Sequence, residues 1–256
     1  TLPALIESVR RVKNDRRTKG VFVRLGTADF NWAHAEEVGA LFGSLGRRGS
    51  NQVGQDARGE GEDTVFVTNA TSGVNIVLSS VPLGPGDEIV ITDHEYETCR
   101  NAAHAWAART GARVVEVPIP FPPTSPKVVV EQIVSAVGAN TRLVIVDHVT
   151  SPTALVFPVE AIVAALEPEV PVLIDGAHAP GMLPLRVGDL GASFYVGNLH
   201  KWVCAPKGAA FLHVADRHVD TIQPLVVSRA WGVEAATAPR LHTLFDWTAT
   251  EDPSAR

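Results

Sequence analysis

With 256 residues, 45% of them hydrophobic, and a formal net charge of −6, the chain has the composition of a globular protein holding one large α/β domain or two small ones. The charge argues against nucleic acid as a partner, because phosphate backbones attract clustered Lys and Arg, and no apolar run approaches the roughly 20 residues of a membrane span. Cys99 and Cys204, the two cysteines present, form neither a disulfide framework nor a metal knuckle, and the expected compartment is the cytoplasm.

Leu5–Val12 and Ala33–Leu45 read as helices, and residues 46–61, rich in Gly, Ser and charge, as a loop. The basic cluster Arg10, Arg11, Lys13, Arg16, Arg17 and Lys19 reads as a solvated helix face and its exit. Glu7, Arg10 and Arg11 interrupt the apolar residues, so the start of the chain lacks a signal-peptide core. From about residue 61 the pattern changes, which divides an N-terminal segment of residues 1–60 from a larger domain of residues 61–256. Strands are expected at Thr64–Thr68, Glu88–Thr92, Arg113–Val117, Leu143–Asp147, Val172–Asp175, Ser193–Val196 and Ala209–Val214. Helices are expected between them at Ser72–Ser80, Glu97–Thr110, Val128–Val137 and Val159–Leu166. Such alternation implies right-handed crossovers and a three-layer α/β/α sandwich with a mainly parallel sheet. The chain ends at Asp252-Pro253-Ser254-Ala255-Arg256 without a closing element, so a smaller C-terminal domain is expected to be absent or truncated.

Ligands of an open parallel sheet bind beyond the carboxyl ends of its strands. Five polar segments fall there: Asn69-Ala70-Thr71, Asp93-His94, Asp147-His148, Asp175, and Gly197 to Lys201. The first opens a helix, whose free N–H groups favour a phosphate, although a plain Asn or Thr cap explains it as well. Asp175 can pair with a protonated ring nitrogen and so keep a pyridinium charged, with His178 three residues on to meet a phenolic oxygen. The competing readings are a capping carboxylate, or a metal held by Asp175, His178, Asp147 and His148, which no HExxH or Cys/His pattern supports. Lys201, between His200 and Trp202, suits a desolvated, nucleophilic amine, and Lys207 is its competitor at a strand entrance. His94 and Tyr96 follow a strand, and either could lie over a flat ring.

The segments TNATSGVN, PLGPGDEIVITDHEYETCRNA, VDHVTSPTALVFPV, LIDGAHAPG and GNLHKWVCAPKGAAFL together resemble the class V aminotransferases, enzymes of fold type I that use pyridoxal 5'-phosphate (PLP). The resemblance covers about residues 62–256 and is nearest to the isopenicillin N epimerase-like branch, with cysteine desulfurases further off. It implies that Lys201 holds PLP as a Schiff base, that Asp175 pairs with the ring nitrogen and that His178 contacts the phenolic oxygen. It also implies phosphate contacts from Ala70, Thr71 and His200, with Asn198 beside them, and a ring-stacking role at His94 or nearby Tyr96. Thr250 is implied to reach the phosphate of a partner subunit in a homodimer, although Ala249 replaces the usual Gly. Ser151 stands where desulfurases carry Asn, and Cys99 and Cys204 read as small packing residues rather than a desulfurase nucleophile. Arg229 and Arg256 are poor substitutes for a substrate-carboxylate arginine. The expected chemistry is at the α-carbon of an amino acid or peptide amine: epimerisation first, C–S lysis (β-elimination) or transamination as alternatives. A PLP-binding sensor without turnover is the non-enzyme alternative.

Overall fold

The computed structural model describes residues 63–228, 230–232 and 239–246, which belong to one compact unit within Gln52–Arg256. The two expected N-terminal helices, the loop after them, Arg229, Thr250 and Arg256 lie outside the described residues.

Seven strands form one sheet: β1 (Thr64–Val67), β2 (Glu88–Thr92), β3 (Arg113–Val117), β4 (Thr141–Asp147), β5 (Val172–Asp175), β6 (Phe194–Asn198) and β7 (Ala210–Val214). Their order is β1-β7-β6-β5-β4-β2-β3. Strands β3, β2, β4, β5 and β6 run parallel. Strand β7 turns back antiparallel against β6, and β1 pairs antiparallel with β7. The sheet is therefore mainly parallel, as expected.

Every residue of β2, β5, β6 and β7 is buried, as in strands covered on both faces. The period-2 alternation of side chains sorts them into two cores. Leu143 and Ile145 of β4 and Phe194 and Val196 of β6 pack beneath helices α1 (Ala70–Ser80) and α2 (Glu97–Thr110). Val144, Val146 and Tyr195 face the other way, against α3 (Pro126–Ala136) and α4 (Val159–Leu166). Each fully buried aliphatic side chain contributes about 1.5–3 kcal/mol relative to exposure. A short α5 (Arg240–Phe245), which the apolar pattern does not announce, adds Leu241, Leu244 and Phe245 to the first core.

The boundaries that differ from expectation have local causes. Helix α1 begins at Ala70 rather than Ser72 because the Asn69 side chain accepts from the Ser72 N–H at 2.8 Å and caps the helix two residues earlier. Helix α3 begins on Pro126, whose missing N–H costs nothing in the first turn. Strand β6 continues through Gly197 and Asn198 because β7 pairs with it as far as Asn198 and Ala210.

Close packing also governs the residue after β5. A Cβ on Gly176 would overlap the Tyr195 ring and hydroxyl, and that hydroxyl is held 3.0 Å from His148 Nδ1. Gly176→Ala should therefore destabilise the protein by about 1–3 kcal/mol through overpacking. Urea denaturation checks this, and an unchanged midpoint would show that the Tyr195 ring moves aside freely.

Candidate active site

The parallel register sets Asp147 of β4 beside Asp175 of β5, and Asp175 beside Val196 of β6. The carboxyl ends of three neighbouring strands thus lie together, and the segments leaving them meet. The Ala70 N–H at the start of α1 donates to Asn198 Oδ1 at 2.8 Å, tying that helix to the end of β6. Lys201 Nζ lies 3.0 Å from His178 Nε2 and 5.9 Å from the centre of the Tyr96 ring.

Asp175 is 2% exposed. Its Oδ1 accepts from the Ala177 N–H at 2.9 Å, and its Oδ2 from the Cys99 thiol at 3.3 Å. Burial pushes its carboxyl above the ordinary range, while these two donors and the nearby Lys201 pull it back. Glu95 and Asp147 are buried beside it. Burial first, then the neighbouring carboxyl groups, hold both well above the usual carboxylate range. Glu95 Oε1 accepts from the Tyr96 N–H at 3.0 Å, but Glu95 Oε2 and Asp147 Oδ2 have no partner among the described residues. Sequence reasoning passed over Glu95, whose burial one residue from an exposed Tyr96 has no signal in a charged loop.

Cys99 also does more than pack. Burial, followed by the charges of Asp175 and Glu95, pushes its thiol strongly upward, so it stays protonated and acts as a donor. Cys204 differs from the packing residue expected: it is exposed, at φ 61°. The metal alternative changes too. Among the described residues, Glu95, Cys99 and Asp175 bring ligand atoms within 4.8 Å of one another. The set Asp175, His178, Asp147 and His148 does not. His148 instead turns its ring to Tyr195, while its backbone N–H donates to the Asp175 carbonyl at 2.8 Å.

His94 and Tyr96 part company. His94 is buried, its Nε2–H donating to the Ile119 carbonyl at 3.0 Å and its Nδ1 2.7 Å from the Thr153 hydroxyl. Tyr96 is 42% exposed and turns its ring towards Lys201. His200 Nδ1 donates to the Ala209 carbonyl at 3.0 Å, so Nε2 is the nitrogen left for a ligand. Lys207 is exposed in the turn before β7. At the start of α1, the Ala70 and Ser72 N–H groups are committed to Asn198 and Asn69.

The Thr71 N–H and hydroxyl have no partner among the described residues, and they remain as donors. A lysine amine, a buried carboxylate, an exposed aromatic ring and an uncommitted helix-terminal donor form a donor set that fits a planar, phosphate-bearing aldehyde. Among the described residues, no helix is long and apolar enough to cross a membrane.

Comparison with known proteins identifies the family and the fold. The sequence model of the family Aminotransferase class-V matches residues 52–231. Isopenicillin N epimerase of Amycolatopsis lactamdurans is 39% identical over 175 residues, 67% of this chain and 44% of that protein. L-cysteine desulfhydrase of Arabidopsis thaliana is 29% identical over 215 residues, 76% of this chain and 45% of that protein. A solved mutant of C-DES, with glycine covalently linked to its PLP cofactor, superposes with a TM-score of 0.66 at 23% identity, covering 95% of this chain and 62% of that one. C-DES is described as a cystine C–S lyase. The chain spans about half the length of the relatives it matches in sequence. With more than half of its residues matched by the family's sequence model, the chain belongs to the class V aminotransferase family.

Proposed function

We propose that this chain carries the cofactor-binding part of a PLP enzyme that removes the α-proton of an amino acid, with Lys201 as the residue that holds the cofactor and then moves the proton. The observation that carries this reading is the placement of Lys201 Nζ against His178 Nε2, above a carboxylate buried at the end of a central strand. When bound, PLP supplies an aldehyde that condenses with an amine and a ring that accepts electrons.

The chain's own residues divide the remaining work. Asp175 is the carboxylate suited to a ring nitrogen: of the three buried acids, it alone has a donor on each oxygen among the described residues. Burial and the neighbouring carboxyl groups hold Glu95 and Asp147 well above the usual carboxylate range, which favours their neutral forms beside Asp175. Tyr96, rather than the enclosed His94, offers an open aromatic face. Thr71 donates at the helix N-terminus, where the dipole favours a phosphate. With its Nδ1 proton committed to Ala209, His200 donates to a phosphate through Nε2 when the ring carries both protons. Freed Lys201 is the general base on the α-carbon.

Two outcomes of that proton removal suit the family relatives. Cleavage of a C–S bond, as the desulfhydrase name implies, proceeds by loss of the β-substituent. Epimerisation proceeds by return of a proton to the opposite face. Incubation of the full-length protein with L-cysteine, cystine or a cysteine-containing peptide in deuterated water distinguishes them. Release of pyruvate with sulfide from cysteine, or with a persulfide from cystine, marks C–S cleavage, and α-deuterium without further mass change marks epimerisation. Neither product with any of these substrates would count against the reading and favour a passive cofactor binder.

Borohydride treatment of the full-length protein should fix PLP to Lys201, read by peptide mapping; an adduct on exposed Lys207 would overturn the assignment. Asp175→Asn should keep the cofactor but lower turnover by about 100-fold or more, on the order of 3 kcal/mol in the barrier. Turnover at the wild-type rate would make Asp175 a structural group only.

The buried acids also set a pH dependence. Glu95 and Asp147 have folded-state values above their unfolded ones, so the native state binds more protons. Their contribution is complete below the unfolded range near 4 and is lost as pH rises through the folded values. Cofactor-free protein should therefore unfold at lower urea at about pH 8 than at about pH 5.5. Glu95→Gln, which cannot ionise, should flatten that slope. An equal slope in the variant would show that Glu95 is already ionised in the native state.

A further inference from the structure

His178 is in contact through both ring nitrogens, and the two partners are not equivalent. Trp202 Nε1 lies 3.1 Å from Nδ1, and Lys201 Nζ lies 3.0 Å from Nε2. An indole N–H can only donate, so Nδ1 must be the unprotonated, accepting nitrogen. A neutral imidazole has one proton, which is then on Nε2. Burial holds the ring below its ordinary range, on the neutral side. The Nε2–H therefore points at Lys201 Nζ, which accepts it only as the unprotonated amine. Without Trp202, Lys201 would be the other group bearing on the choice, and an ammonium there would favour the opposite form, with the proton on Nδ1.

The backbone around this contact is built to hold it. Gly181, three residues after His178, has φ +83°, and a Cβ there would lie 2.8 Å from the Trp202 carbonyl carbon and 2.9 Å from its oxygen. The segment carrying His178 can thus press directly onto the backbone of Trp202 only because position 181 has no side chain. The indole and imidazole rings meet tilted by 50° with centres 6.2 Å apart, as an N–H reaching over to a ring-edge nitrogen requires. Trp202 is 53% exposed, so its packing in a core does not account for its place.

We propose that Trp202 is a positioning residue: its indole N–H fixes His178 in the Nε2–H form and so makes that histidine a donor towards Lys201 and the oxygen of any ligand group beside it. The tautomer assignment stands on this chain's own geometry; its use in catalysis rests on the PLP reading above. A histidine in the other neutral form would present a lone pair there and would repel, rather than stabilise, a phenolic oxygen.

Long-range proton–nitrogen correlation spectra of the full-length chain, labelled with nitrogen-15 at histidine, test this. Wild-type His178 should show a protonated Nε2 and a bare Nδ1, with or without PLP. Trp202→Phe keeps an aromatic ring without the donor and should give a mixture of both neutral forms. Gly181→Ala, which displaces the Trp202 backbone, should do the same while retaining the indole. A wild-type spectrum with the proton on Nδ1 overturns the proposal even if neither variant folds. Folded variants that keep a single Nε2–H form overturn it as well. The borohydride adduct reports independently on cofactor binding, so a protein without PLP but with the expected tautomer would fail the functional reading and leave the Trp202 assignment standing.

Discussion

A carboxyl group taken out of water is costly to a fold unless it finds partners, the more so if it is to carry charge, and the site is organised around one. Asp175 ends a strand that is buried along its whole length. Its neighbours answer that cost from three directions: the Ala177 N–H in the turn after β5, the Cys99 thiol from α2, and the side chains of Lys201 and His178 nearby. The turn is tight because Gly176 passes against the Tyr195 ring, and the same turn delivers His178 to Lys201. Exchanging a partner would alter the charge of Asp175 and the position of the residues that follow it together.

Lys201 is held by a different device. The loop that carries it is closed upon itself, with the Leu199 N–H donating to the Ala209 carbonyl and the Ala205 N–H to the Leu199 carbonyl, each at 3.0 Å. Because β7 returns antiparallel beside β6, the two ends of this loop are neighbouring positions in the sheet, Asn198 and Ala210. Cys204 at φ 61° and Gly208 at φ 97° absorb the turning. The amine therefore extends from a short, hydrogen-bonded arch.

The elements were legible wherever burial follows chain periodicity. Runs such as Val172–Asp175 are apolar because both faces of the strand are covered, and Glu97–Thr110 declares its end through Gly111, in the left-handed region at φ 80°. Strand ends likewise pointed to Asp175 and to the lysine segment. Relations across the sheet were not legible. The extension of β6 to Asn198 depends on a partner strand, and the bond from the Ala70 N–H to Asn198 spans 128 positions. His94 and Tyr96 could not be separated by reading, since two aromatic rings leaving one strand differ only in what covers them: Phe121 and Phe157 close around His94. Glu95 and Cys99 look like a solvated charge and a filler until the fold puts them beside Asp175. The contact of Trp202 with His178 joins two loops, and no spacing rule describes it.

The position of β1 has a consequence for how the molecule comes into being. Among the described strands, the first has its sole sheet neighbour in the last, with Thr64 and His213 paired across 149 positions. A ribosome releasing this chain must produce most of it before β1 finds its ladder, whereas β2, β3 and β4 can pair as they emerge. Closing so long a loop costs entropy before any contact repays it. Helix α1, which offers its N-terminus to the site, follows directly on that late strand and is fastened to β6 through Asn198. The corner at the start of α1 thus waits for the far end of the sheet, and a nascent chain can set the Asp147 and Asp175 strands side by side before that helix N-terminus is fastened in place.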